Sequence, residues 1–309
     1  MRLAIVTAGA VGGYFGSLLA GKGAEITFVA RGEHLKVLCE TGLTLNKPDG
    51  TLFVPPDQYR ATENAAQAVK GADMVLFAVK SYDTREVAMA LLPGLGENVP
   101  VLSLQNGVEN EDLLSAIVEP QRTAGGVAYV FAQLTAPGEI TANNVGKMVI
   151  ADRTMAGGPV AHLAELTALC AAANVPFETT SDIGKTKWSK LVYNSALNGW
   201  TTYRQTTLDR LLADPVTRRD FEQTLRETAA VALALGIKLD DDLVEQTMDR
   251  AMKVGAVGSS MLADLEMGRK LEFEALNGYI VRKGREVGIH TPYNAMLSRE
   301  LAALNLSRN

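Results

Sequence analysis

The run Arg2-Leu-Ala-Ile-Val-Thr-Ala-Gly-Ala-Val-Gly-Gly-Tyr-Phe-Gly16 decides the fold. A short apolar strand enters a glycine-rich turn, and a helix opens out of that turn. A second apolar strand, Glu25-Ile-Thr-Phe-Val-Ala30, follows on schedule and ends at Arg31. This is the layout of a dinucleotide-binding βαβ unit, in which backbone approaches a pyrophosphate at a helix N-terminus. The turn reads Thr7-Ala8-Gly9-Ala10-Val11-Gly12, and these six residues are the expected cofactor-binding loop. Thr7 stands where the full fingerprint has its first glycine. A β-branched residue makes such a turn comfortably only with negative φ. Gly9 leaves room for the pyrophosphate, and Gly12 lets the helix pack close on the strand.

Arg31 bears on which nucleotide is bound. A site selective for NAD usually has Asp or Glu near this point for the ribose hydroxyls, whereas Arg accommodates a 2′-phosphate. The guanidinium presents a planar donor fork that suits phosphate oxygens. NADP(H) is the expected cofactor.

At 309 residues the chain is long enough for two domains, each with its own core. The reading is α/β: a Rossmann-like dinucleotide-binding domain over 1–180, then an all-helical domain over 181–309, with the cleft between them as the default substrate site. Strands are expected at Leu3–Val6, Ile26–Ala30, Met74–Val79 and Val101–Leu104, whose continuous apolar character suits burial on both faces. Lys47-Pro-Asp-Gly50 is a hairpin signal. Residues 122–151 carry short β-prone runs broken by Pro137-Gly138 and Asn143-Asn144, expected as antiparallel strands at the far edge of the sheet. A helix is expected over Val160–Ala173. From Ser181 onward the periodicity is helical, with Ser181-Asp182 and Asp214-Pro215 as starts and Gly236 and Gly288 as stops.

Composition narrows the classes further. A net charge of −5 argues against a broad nucleic-acid or anionic-membrane surface. Two cysteines, Cys39 and Cys170, form no disulfide framework and fit a reducing cytoplasm. Three histidines, His34, His162 and His290, have no metal-ligand spacing, so no metal is expected. The first residues imitate a signal peptide, but glycines interrupt the apolar run and the next strand continues the βαβ pattern. No uninterrupted apolar stretch of about 18 residues exists to span a bilayer.

Lys187-Trp-Ser-Lys190-Leu-Val-Tyr-Asn194-Ser-Ala-Leu-Asn198 is the most unusual stretch after the glycine loop. On a helix Lys187, Lys190, Asn194 and Asn198 fall within an arc of about 80°, with Leu191, Val192 and Leu197 set on the other side. Asparagine is a mediocre helix former, so two of them one turn apart suggest a ligand-facing stripe. The competing reading is a solvated face, which usually carries Glu and Arg. Gly258-Ser-Ser-Met-Leu-Ala-Asp264 and Glu272-Phe-Glu-Ala-Leu-Asn-Gly278 form a second cluster, whose serines read most simply as a helix N-cap.

Together these residues resemble the 2-dehydropantoate 2-reductase (ketopantoate reductase) family. The resemblance rests on the glycine loop, the Val-Ala-Arg31 strand end, Ala78-Val-Lys80, Leu104-Gln-Asn-Gly107, the lysine and asparagine helix, Ser-Ser-Met-Leu and Glu272…Asn277-Gly278. It implies NADPH-dependent reduction of a small-molecule 2-oxo acid in pantothenate biosynthesis; the sequence leaves open whether the chain forms a homodimer. It implies Lys190 as catalytic proton donor and Glu272 as the acid that supports it. Asn106, Asn194, Asn198 and Ser260 match substrate-binding positions, and Lys80 and Asn106 match residues facing the cofactor. Val257 departs from the pattern, standing where the family has an asparagine. Two alternatives remain open: a related dehydrogenase for another 2-oxo or 3-hydroxy acid, and a non-catalytic NADP(H)-binding sensor.

Overall fold

The structure, a computed structural model, describes residues 1–306. The chain divides into two compact units: Met1–Gln105 with Asn110–Ile183, and Asn106–Glu109 with the chain from Gly184 onward. The first unit carries strands β1 Arg2–Val6, β2 Glu25–Val29, β3 Leu43–Lys47, β4 Gly50–Val54, β5 Tyr59–Thr62 and β6 Met74–Phe77. It continues with β7 Val101–Ser103, β8 Thr123–Tyr129, β9 Ala132–Ala136, β10 Glu139–Ala142, β11 Lys147–Ala151 and β12 Phe177–Thr180. Its helices are α1 Ala10–Leu19, α2 Gly32–Glu40, α3 Ala65–Val69, α4 Thr84–Leu91, α5 Asn110–Val118 and α6 Leu163–Ala172.

An eight-stranded sheet runs in the order β12-β11-β8-β7-β6-β1-β2-β5. From β5 to β8 the pairings are parallel. Leu3–Val6 and Met74–Phe77 are at most 1% exposed, the burial on both faces that their unbroken apolar runs require. The chain leaves β1 toward β2 on one side and returns to β6 on the other, so the carboxyl ends of β1 and β6 form the topological switch point where open sheets of this kind bind ligands.

The strands of 122–151 differ from the edge meander expected for them. β8 runs parallel to β7 inside the main sheet, and only β11 pairs antiparallel with β8. β9 and β10 leave that sheet and join the β3–β4 hairpin in a four-stranded sheet of order β4-β3-β10-β9. The reason is long-range pairing: β10 adds parallel to β3, and a local turn pattern cannot encode a partner so distant in the chain.

The second unit holds α7 Ile183–Arg204, α8 Leu208–Ala213, α9 Pro215–Ala234, α10 Leu243–Val254, α11 Ser260–Glu266, α12 Asn277–Glu286 and α13 Pro292–Leu306. Asp214 caps α9 by accepting from the N–H groups of Val216 and Thr217 at 3.2 and 3.3 Å, one residue before Pro215. α7 has no solvated face. Leu191, Val192, Asn194, Ala196, Leu197, Asn198 and Trp200 are all buried, so the apolar residues surround the polar stripe rather than oppose it. Neighbouring helices satisfy its polar groups: the Trp200 indole N–H donates to Thr224 at 2.9 Å, and Ser195 bonds Thr228 at 2.9 Å. No described helix is long and apolar enough to cross a membrane.

Candidate active site

The glycine loop lies at the switch point. Gly9 caps α1 with extended backbone and no side-chain bond, and the first turn carries no acidic residue, so the helix N-terminus presents its N–H groups uncompensated. A Cβ added at Gly9 would find its nearest neighbour, Thr7 Oγ1, at 3.6 Å, which leaves the backbone accessible. At Gly12 a Cβ would strike the Thr7 carbonyl oxygen and crowd the Ile5 side chain at 2.9 Å, so helix-on-strand packing requires glycine there. Thr7 is absent from the positive-φ residues, as its branched side chain demands. The Ala8 N–H donates to the Val29 carbonyl at 2.8 Å and ties the loop to β2.

Two cationic positions flank this loop. Arg31 follows β2 at the start of α2, is well exposed, and holds its guanidinium 3.9 Å from Glu86. Lys80 lies just past β6 and opens a short 3-10 turn over Ser81–Asp83. The Gln105 amide supports that strand end, donating to the Val79 carbonyl at 3.1 Å and to Thr84 Oγ1 at 2.7 Å. An uncapped helix end, open backbone at Gly9 and an exposed guanidinium at the end of β2 together fit a phosphorylated dinucleotide.

The polar stripe of α7 belongs to the second unit, together with Asn106. Lys190 Nζ donates to Asn106 Oδ1 at 2.9 Å, and Asn194 Nδ2 points to the same oxygen at 3.5 Å. Lys190 is half-buried. That burial, reinforced by the charge of Lys187, pulls its pKa down to about 8, with Glu272 pushing the other way. Lys187 and Glu272 are themselves buried.

Asn198 does not converge on Asn106. Its Oδ1 accepts from Ser260 Oγ at 3.3 Å and the Met261 N–H at 3.2 Å, while Nδ2 donates to the Asn194 carbonyl at 3.0 Å. It therefore straps the start of α11 to α7. Ser259, rather than Ser260, is the N-cap of α11, accepting from the Leu262 N–H at 3.1 Å. Ser260 remains exposed beside it. Val257 is half-buried and rests against the helical core.

Three supporting residues carry no sequence signal of their own role. Gln105 and Asn277 stand inside the motifs quoted above, but only their contacts show that they brace backbone. Asn277 donates to the Ser195 carbonyl of α7 at 3.0 Å and to Asn294 Oδ1 at 2.9 Å. His34 is the third.

A parallel sheet with an open glycine loop at its switch point, followed by a helical unit holding a half-buried lysine in an amide cluster, defines a nucleotide-dependent oxidoreductase of the Rossmann-like class. Residues 3–154 match the family model for ketopantoate reductase PanE/ApbA, and residues 182–305 match the model for its C-terminal region. The chain belongs to the ketopantoate reductase PanE/ApbA family. It is 30% identical over 293 residues to a 2-dehydropantoate 2-reductase of Halobacterium salinarum, covering 94% of this chain and 95% of that one. The crystal structure of a PanE/ApbA family ketopantoate reductase from Ralstonia eutropha JMP134 superposes with TM-score 0.91 at 37% identity, covering 100% and 99% of the two chains. A D-mandelate dehydrogenase solved with NADH and anilino(oxo)acetate shares the fold at TM-score 0.88 and 23% identity, over 100% of both chains.

Proposed function

We propose that this chain reduces a 2-oxo acid with NADPH, and that the acid is 2-dehydropantoate, giving (R)-pantoate for pantothenate biosynthesis in the cytoplasm. The observation that carries the reading is the Lys190 ammonium held on Asn106 at 2.9 Å. NADPH, when bound, supplies the hydride. The chain's own residues do the rest. Thr7, Ala8, Gly9, Ala10, Val11 and Gly12 would hold the pyrophosphate, Arg31 would take the 2′-phosphate, and Lys80 and Asn106 would bind toward the nicotinamide. Negative charge growing on the ketone oxygen is stabilised and then protonated by the Lys190 ammonium. Asn106 directs that ammonium, and Glu272 keeps enough of it charged to donate near neutrality. Asn194, Asn198 and Ser260 bind the carboxylate and hydroxyl of the substrate, for which amides and hydroxyls offer both donors and acceptors. Initial rates of NADPH oxidation with a panel of 2-oxo acids test the reading, and a protein that binds NADPH but turns over none of them refutes it.

The acid role sets a pH dependence. The charged form of Lys190 is the reducing form, so kcat/KM for reduction is flat below about 8 and falls as pH rises through that value. Oxidation of pantoate needs the neutral amine and rises across the same interval. A reduction profile unbroken through pH 9 to 10 (about one to two units above that value) would remove Lys190 as the acid.

Val257 supplies a test of substrate identity. Its half-exposed position allows an asparagine to turn its amide outward. With 2-dehydropantoate, Val257→Asn is expected to lower KM by up to about tenfold, the worth of one hydrogen bond, with kcat little changed. If activity on another 2-oxo acid falls instead, Val257 lines an apolar pocket for that acid. An unchanged profile for every acid would place Val257 outside the site.

A further inference from the structure

His34, on α2, lies between two backbone groups of the first unit. Its Nδ1 accepts from the Gly138 N–H at 2.9 Å, and its Nε2 lies 2.9 Å from the Ala8 carbonyl oxygen. The partners fix the tautomer. A backbone N–H can only donate, so Nδ1 must be bare. A carbonyl can only accept, so Nε2 must carry the proton. Burial pushes the pKa of the ring below its ordinary value, which agrees with a neutral imidazole at pH 7.

Both ends of this bridge are anchored. Gly138, at φ +73, occupies the turn between β9 and β10, and its carbonyl accepts from the Thr44 N–H of β3 at 2.8 Å. A Cβ there would strike Val37 of α2, so the turn is seated against the same helix that carries His34. At the other end, the Ala8 N–H is already committed to Val29. With its carbonyl held by His34, both polar groups of Ala8 are tied. In a planar trans peptide the C=O and the following N–H point in opposite directions. Holding the Ala8 carbonyl toward His34 therefore aims the Gly9 N–H away from it, as one of the donors at the open end of α1.

We propose that His34 is a positioning residue for the phosphate-binding loop, fixing the Ala8–Gly9 peptide so that its N–H meets the cofactor pyrophosphate. The inference rests on the reading of this loop as the NADPH site. A turn of the small sheet thereby becomes part of the apparatus that holds the loop ready.

The test separates the two nitrogens of the ring. NADPH affinity, by fluorescence titration of the whole protein, is expected to fall about five- to tenfold in His34→Ala, the effect of one hydrogen bond. His34→Gln, whose amide nitrogen can take the place of Nε2, should recover most of the loss. His34→Asn, which reaches only Gly138, should not. Adenosine 2′-monophosphate, which lacks the pyrophosphate, should bind the unmodified protein and His34→Ala equally. Equal weakening of both ligands, rescue by Asn rather than Gln, or an unchanged NADPH affinity in His34→Ala would overturn the inference while leaving the cofactor reading intact. Failure of the unmodified protein to bind NADPH would overturn both.

Discussion

Lys190→Ala is expected to fold, to bind NADPH normally, and to lose about two to four powers of ten in turnover, the share of general acid catalysis with electrostatic stabilisation. Folding should survive because the substitution removes a half-buried charge, and Asn106 Oδ1 still faces the Asn194 amide at 3.5 Å. The loss should fall on kcat and kcat/KM together, since the ammonium acts on charge that exists only in the transition state. Lys190→Arg should fail as well. A guanidinium keeps the charge, but it does not release a proton near neutral pH, and its fork does not match the single acceptor at Asn106. Turnover near that of the unmodified protein in either variant, in a preparation free of host enzyme, would assign the proton to another group.

Arg31→Ala is the second variant with a large expected effect. The guanidinium lies in the open, and its contact with Glu86 at 3.9 Å joins two exposed groups, an arrangement worth less than about 1 kcal/mol. A charge-assisted contact to a phosphate contributes about 1.5–3 kcal/mol, so engaging the 2′-phosphate outweighs leaving Glu86. NADPH should therefore bind about ten- to a hundredfold more weakly to Arg31→Ala, while NADH changes little. Equal affinity of the unmodified protein for the two cofactors would contradict this.

The nucleotide half was the more legible half of the chain. Its information is local: an apolar strand, a glycine turn and a helix lie within Arg2–Leu19, and burial on both faces leaves an unbroken apolar run that can be read directly. The strands after residue 122 were visible as strands but not in their pairing, because β10 finds its partner in β3 rather than in a neighbour. β12 was not anticipated at all, since Phe177-Glu-Thr-Thr180 is short and only partly buried.

On α7 the stripe of lysines and asparagines was visible, but its burial was not. Helical periodicity reports which residues share a face, and a buried polar face looks like a solvated one until its partners are known. Those partners come from afar. Asn106 meets Lys190 across 84 positions and Ser260 meets Asn198 across 62. The clustering of these residues was foreshadowed only by the family resemblance. The bracing residues lay deeper still. His34, Gln105 and Asn277 bond backbone carbonyls or N–H groups, and backbone leaves no pattern in a sequence.

The reaction is tested most directly by following the label from NADPH deuterated at C4, each face in turn, through to the product formed from 2-dehydropantoate. The expected result is pantoate carrying one deuterium at C2 from one of the two labelled faces, formed by the unmodified protein and nearly absent with Lys190→Ala. Pantoate without label from either face, or no pantoate from a protein that binds both NADPH and the oxo acid, would contradict it.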